Sequence, residues 1–289
     1  MRAACCEATV LRNEVIAPDI RLLTVVWPDR DHAPHAGQFF TLRAWGADEA
    51  PFLSRPISVH RWNPDSSTIE FLYQVVGEGT EKIAQLKMKD TFQLTGPMGN
   101  GFDVPDILSK YKKIAVVGGG IGTAPMFQLT RELAAAGVKP DVFFGFRDAP
   151  YCMEEYREIA NLVKVSTDTG AVGFHGFVTQ LYDPADYDVV LVCGRTVMMK
   201  NAARLCAEKG TPCFVSMEKK MACGIGACPR RLWSRRCSQG RHQCRRPSSF
   251  PCSQSRGCLF RHTGGRRSSS SRWGRTPAPH RNRRGRTAG

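Results

Sequence analysis

Apolar and polar positions alternate in two different ways along this chain. From residue 7 to about 104, EATVLRNEVIAPDIRLLTVVW, GQFFTLRAW, ISVHRW and TIEFLYQVV are short runs rich in β-branched and aromatic residues, separated by Pro, Gly, Asp and Asn. Six or so such strands predict a closed antiparallel barrel. One stretch, GTEKIAQLKMKD, has helical spacing, with Ile83, Leu86 and Met88 as its inward positions after a start at Gly79 and Thr80. From about Pro105 the order becomes strand, turn, helix. KKIAVVGGGIG precedes TAPMFQLTRELAAAG, then come VKPDVFFGFRD and YREIANLVKVSTD, and DYDVVLVCG precedes RTVMMKNAARLCAEKG; TPCFVS closes the series near Ser216. Buried hydrophobic strands alternating with amphipathic helices predict a parallel, doubly wound sheet, which binds ligands at the carboxyl ends of its strands. The expected fold class is thus β followed by α/β: a β-barrel over residues 1–104, an α/β domain over 105–217, a short Cys-containing segment over 218–228 and a tail over 229–289.

At 289 residues and 42% hydrophobic content, the chain suits two domains with cores of their own. Its formal charge of +15 suggests nucleic acid until it is located. Residues 229–289 hold 17 Arg and no Lys, Asp or Glu, whereas residues 1–228 carry 24 basic against 26 acidic side chains. The body is therefore close to neutral, and nucleic-acid binding is not expected of it. No run of 18 apolar residues occurs, and MRAACCEATVLRNEVI has no secretory apolar core, so a cytoplasmic protein without membrane contact is expected. Eight of the 12 Cys lie before residue 229 without a disulfide-like framework. Cys5, Cys6, Cys152, Cys206 and Cys213 are read as ordinary thiols. His32, His35, His60 and His175 form no metal-ligand spacing and are read as surface or turn residues.

Several turns carry candidate chemistry, each with a plainer alternative. In LSRPISVH, Arg55 offers a charge fork and a flat face suited to a phosphate or a planar ring; a solvated strand-end Arg looks the same. In LYQVVGEGTEKI, Tyr73 is placed to cover an aromatic cofactor. Gly77 and Gly79 permit close backbone approach and Thr80 opens a helix, though GEGT is also an ordinary turn. VVGGGIGTAPMF is a strand, a glycine turn and a helix start, the arrangement that admits a dinucleotide, without the G-x-G-x-x-G spacing. Pro125 sits in the first helical turn, where its missing N–H matters little. CGRTVMM follows another parallel strand and faces the same crevice, with core packing of Met198 and Met199 as its alternative. Cys223-x4-Cys228 is half of the plant-type C-x4-C-x2-C…C ligand pattern of a 2Fe–2S cluster, but the third position is Arg231.

Taken in order, RPIS, YQVVGEGT, GPMGNGF, GGGIGTAP, CGRTVMM and SMEKKMACGIGAC resemble the electron-transfer subunits of NAD-dependent, type B dihydroorotate dehydrogenases, within the ferredoxin-reductase-like flavoproteins. The resemblance spans residues 7–228. It implies an FAD-binding barrel and an NAD-binding α/β domain. Arg55, Pro56, Ile57 and Ser58 match the first FAD motif, Leu72, Tyr73 and Gln74 the second, and Gly79 and Thr80 the third, at the pyrophosphate. Gly118, Gly119, Gly120, Gly122 and Pro125 match the NAD turn; Cys193 and Gly194 match the strand end near the nicotinamide, with Arg195 where Pro is usual. Cys223 and Cys228 match the first two 2Fe–2S ligands. The implied role is electron transfer between NAD and a partner FMN catalytic subunit, in a heterotetramer serving pyrimidine biosynthesis. No catalytic side chain is nominated, because hydride exchange needs orientation rather than an acid–base pair. Asp148 is a candidate for a ribose hydroxyl by analogy with dinucleotide folds, or a loop acid. The alternative within enzymes is a related FAD-dependent NAD(P)H reductase serving another acceptor.

The tail ends the resemblance at Pro229. Its Arg, Ser, Gly and Pro composition does not support a packed core, so a disordered tail is expected over 229–289. An Arg-rich nucleic-acid arm is one reading. A metal module on Cys237, Cys244, Cys252 and Cys258 is another, although no C-x2-C pair occurs. The favoured reading is out-of-frame translation of a GC-rich gene, since twelve Lys precede Pro229 and none follows.

Overall fold

The first set of runs becomes seven antiparallel strands in the computed structural model, which describes residues 3–217 and 259–261. These are β1 (Ala4–Ala17), β2 (Ile20–Val26), β3 (Phe39–Arg43), β4 (Arg55–Ser58), β5 (Arg61–Asn63), β6 (Thr68–Gln74) and β7 (Thr91–Met98). Their order is β4-β3-β7-β1-β2-β6-β5. The two edges, β4 and β5, are successive pieces of one bent segment. Val59 N–H donates to Gln38 O next to β3 (3.0 Å), and His60 N–H donates to Glu70 O in β6 (2.9 Å). The barrel thus closes through a bend in the chain rather than through a ladder between its edges. β7, which the sequence reading does not mark, has Phe92 and Leu94 buried between exposed Thr91 and Gln93, the period-2 alternation of a half-buried strand.

Along β6 that alternation decides which side chains face where. Ile69, Phe71 and Tyr73 enter the barrel core with Trp27, Phe40 and Leu94, whereas Leu72 lies on the opposite face against Ile20 and Ala124. Helix α1 (Glu78–Ala84) begins one residue before the expected Gly79. Ile83 is buried and Leu86 packs on the barrel, but Met88 is exposed. The helix stops at Ala84, so residues beyond it leave the 3.6-residue period that would have turned Met88 inward.

The second set of runs gives α2 (Val104–Lys110), β8 (Ile114–Gly119), α3 (Ala124–Ala135), β9 (Asp141–Phe146), α4 (Met153–Ile159), β10 (Leu162–Thr167), β11 (Phe174–His175), β12 (Val189–Cys193), α5 (Thr196–Lys209) and β13 (Cys213–Ser216). The order is β11-β10-β9-β8-β12-β13, all parallel, and β14 (Leu259–Arg261), from within the tail, pairs antiparallel with β13. The chain winds outward from β8 in both directions, so the switch point falls between β8 and β12, where Gly118 pairs with Cys193. Both faces of the sheet are covered: Val116, Val142, Phe144 and Leu191 lie in one cluster, and Ala115, Val117, Val190 and Val192 in another.

Barrel and sheet meet along α3. Trp62 N–H donates to Gln128 Oε1 (2.9 Å), Arg131 Nη1 donates to Trp62 O (3.0 Å), and Ala36 N–H donates to Glu132 Oε1 (2.8 Å). From α4, Glu155 pairs with Arg61, which also lies 3.2 Å from Glu70 and over the Phe127 ring at 4.6 Å.

Candidate functional site

On the barrel side, Arg55 and Gly79 are packed together although they come from different motifs. A Cβ on Gly79 would lie 2.4 Å from Arg55 Nε and 2.8 Å from Cζ. Arg55 Nη1 donates to Leu53 O (2.6 Å), and the guanidinium carbon lies 5.8 Å from the Trp45 ring centroid. The guanidinium is thereby fixed over the first turn of α1. Thr80 does not present itself to a ligand. Its hydroxyl accepts from Val76 N–H (2.9 Å) and Gly77 N–H (3.2 Å) and donates to Gly77 O (2.8 Å), so it builds the turn from inside. Gly77 O also accepts from the N–H of Thr80 and Glu81 (2.9 and 3.0 Å). The group left to meet an anion is Arg55, above the Gly79 backbone.

Pro56, Ile57 and Ser58 are half-buried, Ile57 being packed on the barrel core. Tyr73 corrects the sequence reading: it is 1% exposed, its hydroxyl donates to Asn13 Oδ1 (3.2 Å), and burial pushes its pKa up to about 12. Its ring fills the barrel and cannot cover a cofactor. The neighbours on the other face, Leu72 and exposed Gln74, are the residues of this motif turned away from the core.

On the sheet side, the glycine turn is a 3-10 turn, Gly120–Thr123, inserted between β8 and α3. A Cβ on Gly122 would lie 2.5 Å from Gly194 Cα and 2.6 Å from Cys193 O, so the turns after β8 and β12 touch backbone to backbone. Gly118 and Gly119 are filled in by the Phe144 ring and by Met198 Sδ. Gly120 differs from all of these, having φ +55° and no atom within 4 Å of its added Cβ position. It is the point of the turn open to a ligand. Pro125 is buried in the first turn of α3. The Cys193 side chain is buried in the sheet core, leaving its backbone and Gly194 at the crevice. Asp148 is exposed beside Arg147, with Nε to Oδ2 at 3.4 Å.

The two sides meet in an apolar seam. Ile20, Leu72 and Ala124 are buried together, with Leu22, Ile121, Tyr151 and Cys152 packed around them. Burial pushes the Cys152 thiol up to about 11 and the Tyr151 phenol up to about 12, so neither is an ionised group at neutral pH. An open cleft of about 630 Å³, lined by Tyr151, Cys152, Met153, Arg157 and Val165, adjoins the seam; the sequence reading did not single it out.

His60 also departs from the expected surface position. It is buried between barrel and sheet, its ring stacked on Phe127 at 4.8 Å, with Nδ1 2.9 Å from Ala124 O. Since a carbonyl only accepts, Nδ1 carries the proton. Burial, then Arg61 and Arg131, lower its pKa to about 4. Polar and apolar residues mix in ISVHRW, so nothing in the local sequence marks His60 for burial.

Among curated proteins, the electron transfer subunit of dihydroorotate dehydrogenase B (NAD(+)) from Clostridium acetobutylicum is 45% identical over 192 residues, covering 66% of this chain and 74% of the relative. The subunit of the same name from Caldanaerobacter subterraneus is 36% identical over 224 residues, 77% and 85% of the two chains. The chain belongs to the family of dihydroorotate dehydrogenase B electron transfer subunits. No family model matches it. Among solved structures, the NADH-dependent reduced ferredoxin–NADP oxidoreductase studied for flavin-based electron bifurcation superposes with TM-score 0.66 at 26% identity, over 76% of this chain and 79% of that one. A Neisseria gonorrhoeae ferredoxin NADP+ reductase, solved with FAD and NADP, shares the fold at TM-score 0.60 and 17% identity, over 75% and 95%.

For this family the fit of each cofactor differs. The Arg55–Gly79 cradle suits a phosphate, and the open Gly120 turn suits a dinucleotide backbone. Cys223 and Cys228 lie outside the described residues, and the sequence supplies Arg at 231, which has no lone pair for iron. The plant-type ligand spacing is therefore broken at its third position. Among the described residues, no cluster of three His, Cys, Asp or Glu could hold a metal, no helix is long and apolar enough to cross a membrane, and the Cys are unbridged.

Proposed function

We propose that this chain is an FAD-dependent, NADH-linked electron-transfer subunit working with a dihydroorotate-oxidising FMN subunit. Bound FAD would supply the conversion between two-electron and one-electron transfer. Arg55 would hold its pyrophosphate over Gly79 and the start of α1. Ser58, Leu72, the Tyr73 backbone and Gln74 would border the flavin. Gly118, Gly119, Gly120, Gly122 and Pro125 would admit the NAD backbone, and Cys193 and Gly194 the nicotinamide end, with the Tyr151 cleft suited to the outer half of the dinucleotide. The carrying observation is that β6, which carries the second flavin motif, and the glycine turn leading into α3 share one apolar seam, where Leu72, Ile121 and Ala124 pack together. Such a seam excludes water and contains no acid–base pair, which is what hydride exchange by orientation needs.

The test is direct. Purified protein should carry flavin absorbance and reduce a dye with NADH, and it should co-purify with a dihydroorotate-oxidising FMN subunit. A protein that takes up no FAD refutes the reading. Flavin uptake and dye reduction without that partner would favour a related reductase with another acceptor.

The tail reading belongs to the same proposal. Residues 229–289 are the product of a shifted frame, and the chain therefore assembles little cluster. Iron and acid-labile sulfide should be far below two per chain. Two irons per chain would overturn this and point to a substitute ligand such as Cys237. If neither other reading frame after the Cys228 codon encodes further cluster cysteines, the frameshift reading fails.

A further inference from the structure

The contacts that α3 makes with the barrel are not scattered. Ala124, Phe127, Gln128, Arg131 and Glu132 stand at i, i+3, i+4, i+7 and i+8, a single stripe of the helix. Each meets the barrel: His60 Nδ1 donates to Ala124 O (2.9 Å) and its ring stacks on Phe127, while the other three bind the backbone of Trp62 or Ala36. A helix held along a whole stripe is fixed in rotation and in translation along its axis. The end of the stripe nearest the candidate site is the His60–Ala124 bond. His60 lies two residues past Ser58, and Ala124 directly follows the Gly120–Thr123 turn. One hydrogen bond therefore links the bend after the strand proposed to border the flavin to the residue that follows the turn proposed to admit the NAD backbone.

We infer that His60 is a positioning residue that sets the separation of flavin and nicotinamide by tying the β4–β5 bend to the first residue of α3. This rests on the proposed use of the two turns. A residue that only filled space would be replaced by any ring of similar size, since the stack on Phe127 would survive. A positioning role requires the Nδ1–H.

His60→Phe keeps the ring and removes the donor; His60→Asn keeps a donor near Nδ1 and removes the ring. Two readouts are taken: the rate of flavin reduction by saturating NADH in rapid mixing, and calorimetric unfolding of the flavin-free protein. His60→Phe should retain full FAD content and half-saturation by NADH, reduce its flavin at least tenfold more slowly, and melt in two separated transitions where the unaltered protein melts in one. His60→Asn should recover most of the rate. A wild-type rate in His60→Phe overturns the inference, as does a slow His60→Asn beside a fast His60→Phe. Should His60→Phe fail to fold, slow reduction in a folded His60→Asn of full flavin content also overturns it. If the unaltered protein takes up no flavin, the proposed function fails, and the two-step melting of His60→Phe still tests the tie.

Discussion

Gly79→Ala separates the fold of the barrel from its hold on a phosphate. The new methyl would sit 2.4 Å from Arg55 Nε and 2.8 Å from Cζ, well inside contact distance, so something must move. What moves is the end of a long side chain rather than backbone. Pushing the guanidinium aside breaks its bond to Leu53 O, a loss of about 0.5–1.5 kcal/mol, and its place over Trp45, about 0.5–1 kcal/mol. Against this, Ala in place of Gly within α1 stabilises the helix by about 1 kcal/mol. The flavin-free protein should therefore change by no more than about 1 kcal/mol. FAD affinity should respond much more strongly, because a charge-assisted bond to phosphate contributes about 1.5–3 kcal/mol, roughly 10- to 100-fold in Kd. Titration of flavin-free protein with FAD, followed by flavin fluorescence and paired with denaturant unfolding, measures both. Unchanged FAD affinity would place the phosphate elsewhere. A loss of several kcal/mol in the flavin-free protein would mean that Arg55 cannot yield.

Gly122→Ala should behave in the opposite way, since its methyl meets the backbone of Cys193 and Gly194 on arrival; we expect about 3 kcal/mol of destabilisation and weakened NADH binding with FAD content retained, read by thermal melting and titration. Tyr73→Phe removes one hydroxyl bonded to Asn13 at 3.2 Å and should cost about 1 kcal/mol in denaturant unfolding while leaving the flavin spectrum unchanged, because the ring never faces the cofactor. The pKa of His60, depressed from 6.5 to about 4, means that the unfolded chain binds the proton more readily than the folded one. Its stabilising effect is complete above about pH 6.5 and declines toward pH 4, by up to about 3 kcal/mol, and the denaturant midpoint of His60→Phe should lose that part of the acid dependence.

The sequence pattern carried most of the α/β half, because β8 and β12 each announce themselves twice, by an apolar strand and by the glycine turn that follows it. Gly122 is legible in that way: backbone contact with Gly194 demands the absence of a side chain, and the sequence displays the result. The barrel was harder to read. Its closure depends on the bend at Val59 and His60, where one segment changes partner from β3 to β6, and no local pattern encodes which strands lie on either side. The same bend took His60 inside, against the usual place of a histidine. Tyr73 was misplaced for a different reason. Motif resemblance assigns a position to a site, but the period-2 alternation of β6 assigns the Tyr73 ring to the barrel core and Leu72 to the seam with Ala124, which leaves exposed Gln74 as the side chain of that motif open to a ligand.

That distinction bears on what a changed C-terminus removes. Every residue proposed here for FAD or NAD lies at or before Gly194, and the parallel sheet behind them is complete with β13 at Ser216. Among the described residues, the contacts that fix Arg55, Gly122 and His60 all come from residues before Met217. On the proposed frameshift, hydride exchange would therefore stay intact while the third and fourth cluster thiols, and with them the one-electron outlet, would be lost. Electrons entering from NADH would then leave only to an external acceptor. The dye reductase activity of the purified chain should accordingly exceed, by a wide margin, any NAD-linked oxidation of dihydroorotate that it supports with the FMN subunit. A coupled rate matching the dye rate would show that the outlet survives.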